Sequence, residues 1–227
     1  MNFLRVAAIF LALTCASANA QTIVTYDIKN GRAKDAGNWN NNYDGTLTRV
    51  HPTLDLIYDY SGGKGSLNDG IVPSGVESTQ FIYSPDNPII TLHLSGQSII
   101  HEMNFYSMLH AGNVSAGNLS GAKISFGDQS LYLNATNWGP KCSSNLCNNG
   151  FSFAGTALEG IATDVITISD FKNIGNGLPL YAIGEIVLNG SLVSPVPEPS
   201  TYGMLLVGIV AIGLQARRRR GAKSDMA

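Results

Sequence analysis

Four histidines and Ser152 are the strongest candidates for catalysis in this 227-residue sequence. The histidines are His51, His93, His101 and His110. None of them has the H-x-x-x-H or H-E-x-x-H spacing that brings two imidazoles to one metal ion. We therefore interpret them as ordinary surface or half-buried residues.

Ser152 lies in the segment Gly150-Phe-Ser-Phe-Ala154, which loosely matches a nucleophile elbow. That motif needs a strand before the serine and a helix after it, whereas the residues that follow here soon return to a strand pattern. The alternation instead predicts a strand in which Ser152 faces away from Phe151 and Phe153. We predict no catalytic residues and no enzymatic activity, and a secreted hydrolase is kept only as a further alternative.

Oxygen ligands for calcium occur in Asn68-Asp69-Gly70 and around Asp55 and Asp59. Calcium accepts flexible sets of carboxylate, amide and backbone oxygens, although the sequence has no D-x-D-x-D-G repeat. Two interpretations stay open. One is a structural calcium near Asn68 and Asp69, and the other is an Asx-Gly turn with positive backbone dihedrals. No other cofactor is predicted.

Two tryptophans lie in predicted loops that are rich in asparagine, Trp39 in GNWNNNYDG and Trp138 in ATNWGPKC. An aromatic face beside amide and carboxylate groups suits a sugar, which makes Trp39, Asn40, Tyr43, Asp44 and Trp138 candidate glycan contacts. The alternative is that each indole packs against the edge of the domain with its N–H satisfied.

The loops that carry these candidates connect short predicted strands. In residues 88–107 apolar and polar side chains alternate on both sides of Ser95-Gly96-Gln97, which predicts two strands joined by a turn. Residues 122–138 repeat the arrangement around a turn at Gly127-Asp128.

Two more strands follow in the sequence. In residues 165–170 the alternation places Ile166, Ile168 and Asp170 on one face, and residues 181–190 form the last strand of the domain. Short strands without helical segments between them predict an all-β protein built as a β-sandwich.

The N-terminus predicts export. Residues 1–20 contain a single charge at Arg5, an apolar run from Val6 to Leu13 and a small-residue ending at Ala20. These are the parts of a secretory signal peptide cleaved after Ala20. The mature domain then spans residues 21–193.

Cleavage would remove Cys15 and leave Cys142 and Cys147 as the two mature cysteines. In an oxidising compartment we expect these to form one local disulfide, because two ligands are too few for a tetrahedral zinc site.

The C-terminus predicts arrest in a membrane. A Pro-rich linker at 194–200 precedes an apolar segment at 201–216, which we predict to be a short transmembrane helix. The tail at 217–227 begins with four consecutive arginines, which the positive-inside bias holds in the cytoplasm as stop-transfer charges. They are Arg217, Arg218, Arg219 and Arg220.

Charge excludes one class of partner. Residues 21–195 carry 8 Lys and Arg against 14 Asp and Glu, a net charge of −6. An acidic ectodomain is not suited to a phosphate backbone, so no nucleic acid is expected as a partner.

The order of parts at the C-terminus resembles the PEP-CTERM sorting signal. The motif Pro197-Glu198-Pro199 is followed by the glycine-bearing apolar segment and the cluster from Arg217 to Arg220. The resemblance implies an exosortase as processing partner, in Gram-negative bacteria that make exopolysaccharide. It also implies an inner-membrane anchor before processing and a cell-surface or extracellular-matrix location afterwards. One departure is the extension GAKSDMA after the arginines.

A second resemblance concerns the ectodomain. LNDGIV at 67–72, ITLHLSG at 90–96, AKISFGD at 122–128 and YAIGEIVLNG at 181–190 occur in an order similar to the galactose-binding-like, discoidin-type jelly roll. That family implies a jelly-roll sandwich with a structural ion near the first of these segments.

These features together predict an exported protein with a non-catalytic structural role in an exopolysaccharide or biofilm layer. The alternative is a carbohydrate-binding or adhesion module delivered in the same way.

Overall fold

A computed structural model describes residues 19–35, 40–50, 56–74, 79–108, 118–134, 141–143, 146–174 and 180–193. The chain divides into two units, Met1–Val193 and Ser194–Ala227, and every described residue belongs to the first. Nowhere in the described part of the chain does a helix reach the length and apolarity needed to span a membrane.

Several predicted segments lie outside the described residues. They are residues 1–18 of the predicted signal peptide 1–20, the linker at 194–200, the transmembrane helix at 201–216 and the basic tail at 217–227. The last two residues of that peptide, Asn19 and Ala20, are described and pair with Gly190 and Asn189. The tail contains all four predicted stop-transfer charges, Arg217, Arg218, Arg219 and Arg220, so their role stays a prediction.

The described residues form twelve strands and one 3-10 turn at Ser84–Asp86. The strands are β1 Asn19–Gln21, β2 Ile23–Arg32, β3 Thr46–Arg49, β4 Ile57–Gly63, β5 Gln80–Tyr83, β6 Ile89–Met108, β7 Asn118–Phe126, β8 Gln129–Leu133, β9 Lys141–Ser143, β10 Leu146–Ser152, β11 Ala162–Ile174 and β12 Leu180–Leu192. This architecture confirms the predicted all-β fold.

The twelve strands make one antiparallel sheet that folds over at β6 into the two layers of a β-sandwich. One layer has the order β3-β4-β2-β6-β11-β7-β8. In the other layer β10 and β12 pair with the second half of β6, β9 pairs with β10, and β1 and β5 pair with β12. The predicted β-sandwich is therefore confirmed.

The predicted turn at Ser95-Gly96-Gln97 is wrong, because β6 runs through it as one strand of 20 residues. Ser98 and Ile99 pair with β11 on one side and with β12 on the other. Neighbours on both sides satisfy the backbone of a continuous strand, whereas a tight turn would end the ladder there. β6 thereby joins the two layers.

The core lies between the layers and is formed by the apolar residues that alternate along each strand. Phe126 of β7 meets Phe153, which follows β10, with ring centroids 5.1 Å apart. Phe171 of β11 meets Tyr181 of β12 at 6.1 Å. These buried aromatic rings stabilise the core strongly, because each ring removes a large apolar area from water.

The hairpin of β7 and β8 agrees with the sequence prediction. Ile124 and Phe126 are buried, and Gly127 turns the chain with φ 57°. The prediction for β11 is wrong at one residue. Ile166 and Ile168 face the core as expected, but Asp170 is exposed and Phe171 is buried in its place.

A β-bulge in β11 causes this exchange. The pairing register with β7 shifts between Ser169 and Lys172, and Asp170 has φ 52°. One extra residue in a strand reverses which side chains face the core, so the bulge moves the Asp170 carboxylate to the surface.

Candidate functional site

Tyr43 is not available as a glycan contact, so that prediction is wrong. Its ring is 2% exposed and packs against Tyr26 at 5.0 Å and Tyr60 at 4.9 Å between ring centroids. The hydroxyl donates to the Tyr26 carbonyl at 3.0 Å and accepts from the Gly63 N–H at 2.8 Å. Burial raises the pKa of Tyr43 to about 12, so the phenol stays neutral inside the domain.

Trp39 and Trp138 lie outside the described residues, and their part in glycan contact stays a prediction. Next to the first of them, Asn40 and Asp44 are exposed, and Asp44 accepts the Lys64 N–H at 2.6 Å. Asn42 donates from its side-chain amide to Asp69 at 2.7 Å.

Asn40, Asn42 and Asp44 are exposed residues of one loop, and Asn42 binds Asp69 of the next. We call these four residues the polar rim. It joins two regions that the sequence suggested separately, the loop after Trp39 and the Asn68-Asp69-Gly70 segment.

Asn68 and Asp69 hold the turn between β4 and β5 in shape. The Asn68 side chain accepts the Gly65 N–H at 2.9 Å and donates to the Ile23 carbonyl at 3.0 Å. Asp69 accepts the Ile71 N–H at 2.8 Å. Gly70 has φ 77°, a conformation that glycine adopts without steric cost. The predicted Asx-Gly turn chemistry is confirmed.

Glu185 of β12 is a member of this site that was not predicted from the sequence. It is 5% exposed and accepts the Gly70 N–H at 3.1 Å. Burial raises the pKa of Glu185 to about 8, and the nearby Asp69 carboxylate contributes to the rise. At neutral pH the buried Glu185 carboxyl therefore largely keeps its proton. The sequence signal for this buried carboxyl is the single glutamate within the otherwise apolar strand YAIGEIVLNG.

The donor set fits a calcium ion only in part. Asp69 and Glu185 converge as two hard oxygen donors, and a like pair of carboxylates favours a cation or a proton between them. The Asn68 side chain is engaged elsewhere and does not join them. The described residues contain no group of three or more His, Cys, Asp or Glu that could hold a metal ion.

The residues considered for catalysis lie in separate places. His93 pairs with Asp27 at 2.8 Å on a half-exposed face of β6 and β2. His101 is exposed, and its ring nitrogen lies 3.5 Å from the Ser191 hydroxyl. His51 and His110 lie outside the described residues.

Ser152 is exposed between the buried Phe151 and Phe153, as the alternation predicted. The residues after it, up to the start of β11, form turns. Its hydroxyl accepts the Ala154 N–H at 3.3 Å. This geometry lacks the helix that a nucleophile elbow needs.

The predicted disulfide falls on β9 and β10. Cys147 is buried, and the register places its Cα opposite that of Cys142. The Cys142 side chain lies outside the described part of the structure, so the bridge stays a prediction.

A cleft of about 600 Å³ was also not predicted from the sequence. It is lined by the turn before β6, the end of β8 and the bulge of β11, and it includes Tyr132 and Asp170.

The C-terminal part of the chain matches a known sorting motif. Residues 195–220 match the PEP-CTERM protein-sorting motif, which confirms the predicted resemblance. The match includes Pro197-Glu198-Pro199 and all four arginines that follow the apolar segment, Arg217, Arg218, Arg219 and Arg220. No curated protein matches the chain.

The solved structures similar to this chain include proteins in complex with sugars. One is CpGH89CBM32-5 from Clostridium perfringens in complex with GalNAc-β-1,3-galactose, with 13% identity, a TM-score of 0.42 and coverage of 77% of this chain and 100% of that one. Another is the family 32 module of C. perfringens NanJ in complex with galactose, with 11% identity, a TM-score of 0.37 and coverage of 66% and 93%. A third is a His 62 mutant of the lectin-binding domain of Lectinolysin complexed with Lewis b, with 17% identity, a TM-score of 0.38 and coverage of 55% and 80%.

Proposed function

We propose that this chain is an exported protein whose β-sandwich domain has a non-catalytic, structural role in an extracellular polysaccharide layer. Export itself follows from the sorting motif at 195–220. The proposal adds that an exosortase-type enzyme cuts near Pro197-Glu198-Pro199 and that the domain then acts outside the cell.

The observation that carries this proposal is the position of the sorting motif. It begins two residues after Val193, where the first unit of the chain ends. A cut there would free the domain without removing a strand, because β12 ends at Leu192. The acidic charge of residues 21–195 also suits a component that is soluble beside polysaccharide.

Replacement of Pro197, Glu198 and Pro199 by alanine tests the sorting step in the natural host. We expect the variant to accumulate in the inner-membrane fraction while the wild-type chain reaches the surface and medium. A matched control replaces Lys223, Ser224 and Asp225, which lie after the matched residues 195–220. Equal surface delivery of the motif variant and the wild-type chain would contradict the proposal.

Carbohydrate binding is the second candidate function, and the polar rim is the observation that favours it. The side chains of Asn42, Asp44 and Asp69 are exposed or half-exposed and take part in hydrogen bonds of 2.6 to 2.8 Å. Groups held in place in this way lose little entropy when a ligand binds. Trp39 adjoins the rim in sequence and would supply the aromatic face.

Titration of the mature protein with host exopolysaccharide tests this second function. We expect saturable binding that is lost in Trp39→Ala and weakened in Asp44→Asn. Trp138→Ala reports on the other predicted tryptophan. The absence of saturable binding to host polysaccharide and to simple sugars would remove the binding hypothesis and leave the structural one.

A structural calcium belongs to the same proposal. Asp69 and Glu185 would contribute two of its oxygen ligands, and the ion would supply positive charge in place of the Glu185 proton. The polar rim would then be stabilised from below, because Asp69 also binds Asn42.

A further inference from the structure

We propose that the cleft between Tyr132 and Asp170 is a binding site for a neutral saccharide ring. It has a volume of about 600 Å³, within the range of small-ligand sites. The turn before β6 forms one wall, and β8 with the bulge of β11 forms the other. Asn40, Tyr43 and Asp44, the described residues among those considered for glycan contact, do not line it.

The β-bulge in β11 places the Asp170 side chain in the cleft. Without the bulge, the alternation of β11 would bury this residue beside Ile168. Instead Asp170 has φ 52°, and Phe171 fills the core position with 3% exposure. Bulges that redirect one side chain are concentrated at functional sites. The result is a surface carboxylate held by the sheet.

The opposite wall is a rigid turn. Asn87 also has positive φ, at 52°, and its N–H donates to the Ser84 carbonyl at 2.9 Å. Arg32 fixes this turn through Asp86 at 2.7 Å and covers the Tyr83 ring at 4.4 Å from its centroid. Two of the three non-glycine residues with positive φ in the described part of the chain therefore line this cleft.

Tyr132 supplies the apolar surface. Its side chain is 41% exposed, the one aromatic ring among the described residues that is exposed to this extent. The Tyr132 hydroxyl lies 3.2 Å from the position that a Cβ would occupy at Gly121 of β7, so the ring lies against the neighbouring strand. An exposed, positioned aromatic ring can stack on the C–H face of a pyranose.

The polar groups of the cleft select for a neutral ligand. Asp170 and Lys172 place one charge of each sign in the cleft, and no residue in the described part of the chain forms an ion pair with either. The two charges offset each other, so the net charge of the pair favours neither an anion nor a cation. A sugar instead offers hydroxyls that donate to the carboxylate and accept from the ammonium and from the Asn87 amide.

This inference rests on the proposed function only for access to polysaccharide, and it concerns residues other than the polar rim. The test uses the mature full chain purified from the medium of its host. Saturation-transfer NMR and titration with methyl glucoside, galactoside and mannoside measure the dissociation constant for each sugar.

We expect at least one sugar to bind, with the affinity of Tyr132→Ala reduced about tenfold and that of Tyr132→Phe nearly unchanged, because the stacking surface is kept. Asp170→Asn keeps a residue that tolerates positive φ and should weaken binding severalfold. Asp128→Asn, in the turn of the same β7–β8 hairpin, is the matched control and should bind as the wild type. Thermal unfolding verifies that each variant is folded.

Unchanged affinity in Tyr132→Ala and Asp170→Asn would overturn the cleft as the site while leaving sugar binding by the domain intact. The absence of binding of all three sugars by a properly exported and processed chain would also overturn it. In that case the proposed structural role would stand.

Discussion

Glu185 and Asp69 form a carboxyl pair that links the last strand of the domain to the turn between β4 and β5. The pair is stabilised by hydrogen bonds from the backbone of Gly70 and Ile71. Burial makes a second negative charge unfavourable here, which is why the Glu185 proton is retained up to about pH 8.

The pair predicts a specific dependence of stability on pH. The pKa of Glu185 rises from 4.5 in the unfolded chain to about 8 in the folded domain. A raised carboxyl pKa stabilises the folded state at low pH, and this contribution is lost as the pH rises from about 4.5 to 8. Without calcium, Glu185→Gln should flatten the curve of melting temperature against pH in this window. A steeper curve in the variant would contradict the assignment.

Calcium should reverse that behaviour if it binds between the two carboxylates. The ion replaces the proton, so its stabilising effect should grow as the pH rises toward 8. We expect added Ca²⁺ to raise the melting temperature of the wild type and to have no effect on Glu185→Gln or Asp69→Asn. Asp128→Asn serves as the control for lost surface charge. An equal response of all four proteins would place calcium elsewhere.

Tyr43→Phe should destabilise the domain. The substitution leaves the Tyr26 carbonyl and the Gly63 N–H without their buried partner, which costs about 1–3 kcal/mol. Urea unfolding of the variant measures the loss, and Tyr58→Phe on the half-buried part of β4 is the comparison. A free energy of unfolding equal to that of the wild type would show that Tyr43 is not buried as described.

The bulge in β11 predicts how Asp170 can be replaced. With φ 52°, Asp170→Gly should be neutral or slightly stabilising, whereas the β-branched Asp170→Val should cost about 1–2 kcal/mol. Thr167, in a regular part of the same strand where it pairs with Thr91 and Ser125, carries a β-branched side chain and provides the contrast. A stable Asp170→Val would exclude a left-handed backbone at this position.

Much of the fold follows from local sequence. Alternation correctly predicts the β7–β8 hairpin and the burial of Ile166 and Ile168, since a strand with one face in the core fixes which residues are apolar. The local pattern gave a wrong prediction at β6, where Ser95-Gly96-Gln97 is typical of a turn. The strand continues there because strands on both sides satisfy its backbone hydrogen bonds. That condition is tertiary and is absent from the local pattern.

The candidate site was less predictable for a similar reason. The residues around Tyr43 in the sequence are polar, as in a surface loop. Only the ring contacts with Tyr26 and Tyr60 show that its side chain is buried. Glu185 and Asp69 meet across the fold, and Asp170 is exposed by one inserted residue. Each of these depends on register, which pattern alone does not determine.

The intact mass of the protein recovered from the outer surface and medium of its own host tests the central proposal most directly. The account predicts a chain that begins at Gln21 and ends between Val196 and Pro199, with the disulfide reducing the mass by two hydrogens. A mass that extends to Ala227 and includes the arginines at 217–220 would contradict it and would make the C-terminus a retained anchor.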